Sequence, residues 1–150
     1  MALTKVNSNM MTQNPQSNSV GVGTAASGTA GEIRATNQIT AFYSDKRLKD
    51  EVEQIKNALD KIEQLTGVIY TQNKLAEQYG YNNYERQVGL YAQEVKVVQP
   101  EAVKPAPFDI DENGGSISGE NYMTVQYDRL IPLIVEAIKE LKVKVDKLGG

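Results

Sequence analysis

Ser44 is followed five positions later by Lys49, with Lys46 between them, in the stretch SDKRLKDEVEQI. The chain has no cysteine and no histidine, and a serine whose proton is taken by a lysine is one of the few nucleophiles such a chain can offer. Lysine acts as a base when burial lowers its pKa. Residues five apart lie about 140° from each other around a helix and share no face. Ser44 would therefore sit ahead of the helix, with the chain turning to bring Lys49 back, or the pair would form between protomers. Spacing alone favours the plainer roles of a helix cap for Ser44 and a solvated charge for Lys49.

Two other patterns invite chemistry. DIDENGGSISGE, residues 109–120, places Asp109, Asp111 and Asn113 at alternate positions, Gly114 at the sixth and Glu120 at the twelfth, which is calcium-loop spacing. Pro105 and Pro107 forbid a regular entering helix, a strand pattern follows, and Ser116 stands where such a loop needs an apolar residue. The segment reads as a polar hairpin turning at Asn113, Gly114 and Gly115, and no metal site is expected. Tyr70, Tyr79, Tyr81, Tyr84, Tyr91, Tyr122 and Tyr127 could form a carbohydrate platform; their amphipathic rings suit strands and interfaces with polar rims better. KVKVDK near the end is a solvated helix face, because neither aromatic interleaving nor a net positive field accompanies it.

The elements that must position these residues change character along the chain. Residues 1–43 hold 22 Ser, Thr, Asn, Gln or Gly and three charges, Lys5, Glu32 and Arg34. Such a stretch buries too little apolar area to fold alone. Ile33 and Ala35, then Ile39, Ala41 and Tyr43, alternate as strands do, so extended β or loop ordered by neighbouring chains is expected. Beyond it Leu48, Val52, Ile55, Leu59 and Ile62 fall on one helix face, capped by Ser44 or Asp45 and stopped at Gly67. Strands are expected at 68–71, at Val88 to Tyr91, and around Tyr122, Thr124 and Val125, with a short helix over 92–98 that stops at Pro100. A last helix is capped by Asp128, carries Pro132 in its first turn, and repeats Ile134, Ile138, Leu141, Val145 and Leu148 up to Gly149. Its late heptads favour self-association. The register of Leu141, Val145 and Leu148 leans to two strands and that of Ile55, Leu59 and Ile62 to three or more.

Composition sets outer limits. Sixteen basic against 19 acidic residues give a net charge of -3, which offers no electrostatic reason for nucleic acid or anionic membrane as partner. Without cysteine or histidine the usual zinc, haem and Ser-His-Asp sites are excluded, and no cofactor is expected. No apolar run approaches the roughly 18 residues of a spanning helix, and the start lacks a secretory signal's apolar core. A protein made in a cytoplasm is expected.

Three segments carry a resemblance. SDKRLKDEVEQI (44–55), GLYAQEVKVVQPEAV (89–103) and YMTVQYDRLIPLIVEAIKELK (122–142) are similar, in order and spacing, to the C-terminal intramolecular chaperone domain of phage endosialidases, tail fibres and tailspikes. The similarity covers about residues 40–150, and GEIRATNQITAFY resembles the fibre-like lead-in to that domain. It implies a domain that trimerises, drives assembly of the fibre upstream, and cuts itself off just before the motif serine. The scissile bond would join Tyr43 to Ser44, with Ser44 as nucleophile, Lys49 as general base, and Asp45 and Arg47 orienting Lys49 or holding the helix start.

The expected architecture is α+β. An extended fibre-like or docking segment, 1–43, precedes a domain at 44–150 with a small antiparallel sheet, an N-terminal helix and a long C-terminal helix, homotrimeric around a helical seam of Ile134, Ile138, Leu141, Val145 and Leu148. The expected function is a phage virion protein of tail-fibre or spike type, made in the host cytoplasm, whose C-terminal domain drives trimerisation and carries a self-cleavage site, active or silent. With only 43 residues ahead of Ser44, the alternative is a non-cleaving trimeric adaptor or capping protein that docks to other virion proteins through residues 1–43.

Overall fold

The computed structural model describes residues 11–14, 19–26, 29, 31–40, 43–50 and 52–149. The chain divides into two compact units, Met1–Glu51 and Val52–Gly150, so Ser44 and Lys49 lie in the first.

In the first unit, β1 (Met11–Asn14) pairs antiparallel with β2 (Ser19–Val22), and β2 pairs parallel with β3 (Ile33–Ala35). The polar segment thus finds strand partners within its own chain rather than from neighbours alone. Ser19 and Gly21 are buried. Only glycine fits at 21, because a Cβ there would stand 2.3 Å from the Thr24 carbonyl oxygen of the chain folded across it. Of the expected second alternation, Ile39 and Tyr43 lie in no strand and Ala41 falls outside the described residues.

The helix expected from Ser44 to Gly67 is corrected. A single 3-10 turn spans Lys46–Leu48, the described residues from Lys49 to Asn57 are not helical, and α1 covers only Ala58–Ile62. A helix draws most of its stability from burying its apolar face, and Leu48 and Val52 are both exposed. Asn57, left-handed at φ 53°, redirects the chain into α1. Ile55, Leu59 and Ile62 still pack against the core, but the heptad argument drawn from them falls with the helix.

The expected strands and helices follow in order, joined by a short helix at Lys74–Glu77 and a strand at Val103–Pro105 that were not expected. They are β4 (Gly67–Tyr70), α2 (Lys74–Glu77), β5 (Gln87–Leu90), α3 (Ala92–Val98), β6 (Val103–Pro105), β7 (Met123–Val125) and α4 (Ile131–Leu148). β4 pairs antiparallel with β5, and β6 with β7. One antiparallel sheet was expected; two separate ribbons are found. The reason lies at the β5 edge, where the Leu90 amide donates to the Tyr127 hydroxyl at 3.0 Å instead of to a strand.

Ala58, Val95, Val98, Ala102, Leu130, Leu133 and Ala137 form the core, so α1, α3 and α4 converge there. Asp128 lies not at a helix cap but within a 3-10 turn, Tyr127–Leu130, that leads into α4. Pro132 falls in the first turn of α4 and Gly149 closes it, as expected. α4 turns Leu133 and Ala137 inward and leaves Ile134, Ile138, Leu141, Val145 and Leu148 exposed.

Candidate functional site

The site begins with a turn five residues long. Asp45 takes an extended conformation, φ −68° and ψ 130°, and its Oδ1 accepts from the Arg47 amide at 2.9 Å, capping the 3-10 turn. The Leu48 and Lys49 amides then donate to the carbonyls of Asp45 and Lys46. This reversal places the Lys49 ammonium 2.7 Å from Ser44 Oγ. Ser44 therefore precedes the helical turn and the chain brings Lys49 back onto it within one protomer.

Asp45 and Arg47 close on each other. The guanidinium donates through Nε at 3.0 Å and Nη2 at 2.7 Å to the two carboxylate oxygens. The guanidinium first, and the Arg47 amide second, hold the Asp45 carboxyl below the usual carboxylate range, and Asp45 raises Arg47 in return. Neither Asp45 nor Arg47 is bonded to Lys49 in this arrangement. Tyr43, Ser44 and Lys49 are all exposed. The 2.7 Å approach suits either proton direction, since an ammonium donates to the hydroxyl and a neutral amine accepts from it. The arrangement can therefore lower the cost of forming a serine alkoxide beside the Tyr43 carbonyl whenever the amine is neutral.

The calcium-like segment is organised from within. Ile110 bridges Ser116 across a hairpin, and the Asp111 Oδ1 accepts from the amides of Asn113 and Gly115 at 2.8 and 2.7 Å. Asp109 is buried and accepts from Ser116 Oγ, the Ser118 amide and the Tyr122 amide at 2.8, 2.8 and 3.0 Å. Burial pushes this carboxyl up, but the Ser118, Ser116 and Tyr122 donors outweigh it and leave it at about 2. Its lone pairs are thus spent on holding the loop. Among the described residues no group of three or more His, Cys, Asp or Glu stands in an arrangement that could hold a metal ion.

Four rings gather beside the loop: Tyr79 lies 4.6 Å from Phe108 and 5.2 Å from Tyr122, and Tyr81 lies 5.5 Å from Phe108. Tyr79 and Tyr122 pack edge to face, an arrangement rings favour through their quadrupoles. The other expected tyrosines are spread, with Tyr127 bonded to β5 and Tyr84 donating to Glu77 at 3.0 Å.

Two carboxylates that sequence reading passed over fix the elements. Glu140 on α4 accepts from the Ala58 and Leu59 amides at 2.9 Å each, which caps α1 and holds its carboxyl below the usual range. Glu94 on α3 accepts from the amide and hydroxyl of Thr66. A signal for Glu140 was present, since it follows Leu133 and Ala137 at steps of four and three on the buried face of α4.

Residues 44–104 match the family described as chaperone of endosialidase, a match that opens on Ser44 itself. The long tail fiber protein Gp37 of Enterobacteria phage K3 is 41% identical over 105 residues, 70% of this chain and 8% of the relative. The long tail fiber protein Gp37 of Enterobacteria phage T2 gives 41% over 105 residues, 70% of this chain and 7% of the relative. That of Escherichia phage AR1 gives 31% over 97 residues, 65% and 8%. The shared region is thus a small part of the length of these relatives. Among the described residues no helix is long and apolar enough to cross a membrane.

Proposed function

We propose that this chain is a tail-fibre or spike-type virion protein whose chaperone segment drives trimerisation and assembly and cleaves the chain between Tyr43 and Ser44. The single observation that carries the cleavage is the 2.7 Å contact of Lys49 with Ser44, at the residue where the family match begins. The neutral Lys49 amine takes the Ser44 hydroxyl proton as Oγ bonds to the Tyr43 carbonyl carbon. The Tyr43–Ser44 amide bond breaks, its nitrogen takes a proton, and an ester remains. Water then cleaves the ester, giving a carboxylate on Tyr43 and restoring the hydroxyl on Ser44.

Trimerisation rests on a second observation. An apolar stripe along an 18-residue helix at the end of the chain is left exposed while the adjacent face of the same helix builds the core. Copies of the helix would bury that stripe against each other. The likeness to long tail fiber proteins supports the virion as location, and in this reading residues 1–43 dock to other virion proteins.

A non-cleaving trimeric adaptor or capping protein is the second reading. The exposure of both Ser44 and Lys49 favours it, because base action needs a neutral amine and water stabilises the charged one. Mass measured under denaturing and native conditions separates the two. A native trimer of chains split between Tyr43 and Ser44 fits the first reading. A trimer of intact chains after long incubation would replace it with the second, and a native monomer would remove both.

A further inference from the structure

We infer that Asp45 is a positioning residue for the Ser44–Lys49 pair, acting by capping the intervening turn and not by its charge; the inference rests on the cleavage reading above. Three observations separate the two roles. The Asp45 carboxylate receives the Arg47 amide and guanidinium and has no bond to Lys49. Its Oδ1 sits where an N-cap acceptor belongs, two residues ahead of the amide it receives. The turn it caps is the whole connection between nucleophile and base, since Lys46–Leu48 is the sole regular element from Ser44 to Lys49.

Capping matters unusually here because the turn has little else. A 3-10 turn of three residues gains few hydrogen bonds for the dihedrals it fixes, and its residues are all exposed, so no packing holds it. Without the cap the segment opens, and Lys49 meets Ser44 only in the fraction of chains that closes by chance. Arg47 contributes its backbone amide to the cap; its guanidinium adds an exposed ion pair of small worth.

The test is the first-order rate of cleavage between Tyr43 and Ser44 in the full chain across pH, with native mass checked for each variant. Asp45→Ala should lower the plateau rate about fivefold, the effect of losing a typical cap. Asp45→Asn keeps a capping oxygen and should stay within about twofold of the parent. Adding Lys46→Pro to Asp45→Ala should restore most of the rate, because proline presets φ at the first position of a turn and the residue before it is already extended, as proline demands. In all four proteins the midpoint of the pH profile should coincide.

Three results would overturn the inference: Asp45→Ala cutting at the parental rate, the proline variant failing to improve on it, or Asp45→Asn shifting the pH midpoint, which would make the charge the active feature. Backbone chemical shifts of residues 46–48 provide a readout that needs no cleavage. They should move to random-coil values in Asp45→Ala and hold in Asp45→Asn. If the parent never cuts, the cleavage reading fails while the shifts still decide whether Asp45 builds the turn.

Discussion

Lysine and serine brought within hydrogen-bond distance are a pair of roles before they are a catalyst. Ser44→Ala should abolish cleavage between Tyr43 and Ser44 and leave the native mass of the assembly unchanged; mass under denaturing conditions reads the first and native mass the second. Lys49→Gln should reduce the cleavage rate at least a hundredfold, within the range that general-base catalysis contributes. A variant lacking the Ser44 hydroxyl that still cuts would remove this pair from the reaction. Asp109 makes a different claim at the same scale. Its folded carboxyl lies at about 2, below the ordinary value of 3.8, so its stabilising contribution is complete above pH about 4 and is lost as pH falls through about 2. Asp109→Asn should lower the melting temperature at neutral pH and flatten the acid limb between those limits. The near-ultraviolet signal of the Tyr79, Phe108 and Tyr122 cluster would follow both. Ser44 and Lys49 were legible from residue type as a pair that a turn would have to join, while their spacing on an ideal helix favoured plainer roles because the turn depends on the cap at Asp45.

At the scale of elements, the sequence was most readable where a segment satisfies its own backbone. α3 begins and ends as its apolar steps and Pro100 require, and α4 runs from its first-turn proline to Gly149. It was least readable where a distant group decides. Residues 44–57 have the apolar period of a helix, yet the helical stretch starts only where the Glu140 carboxylate, 82 residues away, meets the Ala58 amide. Glu140→Ala should therefore speed hydrogen exchange at the Ala58 and Leu59 amides while leaving α3 protected, because a lost cap frees the first turn alone. Unchanged exchange would mean that Leu59 and Ile62 hold α1 by packing. The division into two ribbons was equally hidden, since nothing in the strand pattern announces Tyr127. Gly89→Ala tests that contact: its Cβ would stand 2.8 Å from the Tyr127 hydroxyl and 3.2 Å from a Tyr70 ring carbon. The hydroxyl must shift, and the Leu90 amide should lose its protection against exchange.

For the molecule as a whole, α4 carries two apolar faces with different obligations. Leu133 is fully buried and Ala137 nearly so; these are committed to the fold of the single chain. The stripe of Ile134, Ile138, Leu141, Val145 and Leu148 remains in water, with Ile131 extending it by a further heptad step. A period of seven was visible in the sequence, but which stripe faces inward was not, because Leu130, Leu133 and Ala137 repeat at the same steps one position away. The two faces predict opposite behaviour. Leu133→Ala should cost about 2–5 kcal/mol by leaving a cavity in the core, and the loss should appear at every protein concentration. Ile138→Asp with Leu141→Asp should spare the single chain, since both side chains already face solvent, while placing charges in the seam that copies of the helix would share. Bound copies stabilise by mass action, so the parent melting temperature should rise with concentration and that of the double variant should not. Retention of the concentration dependence and of the native trimer in the double variant would assign assembly to another surface and leave the exposed stripe of α4 without a role in it.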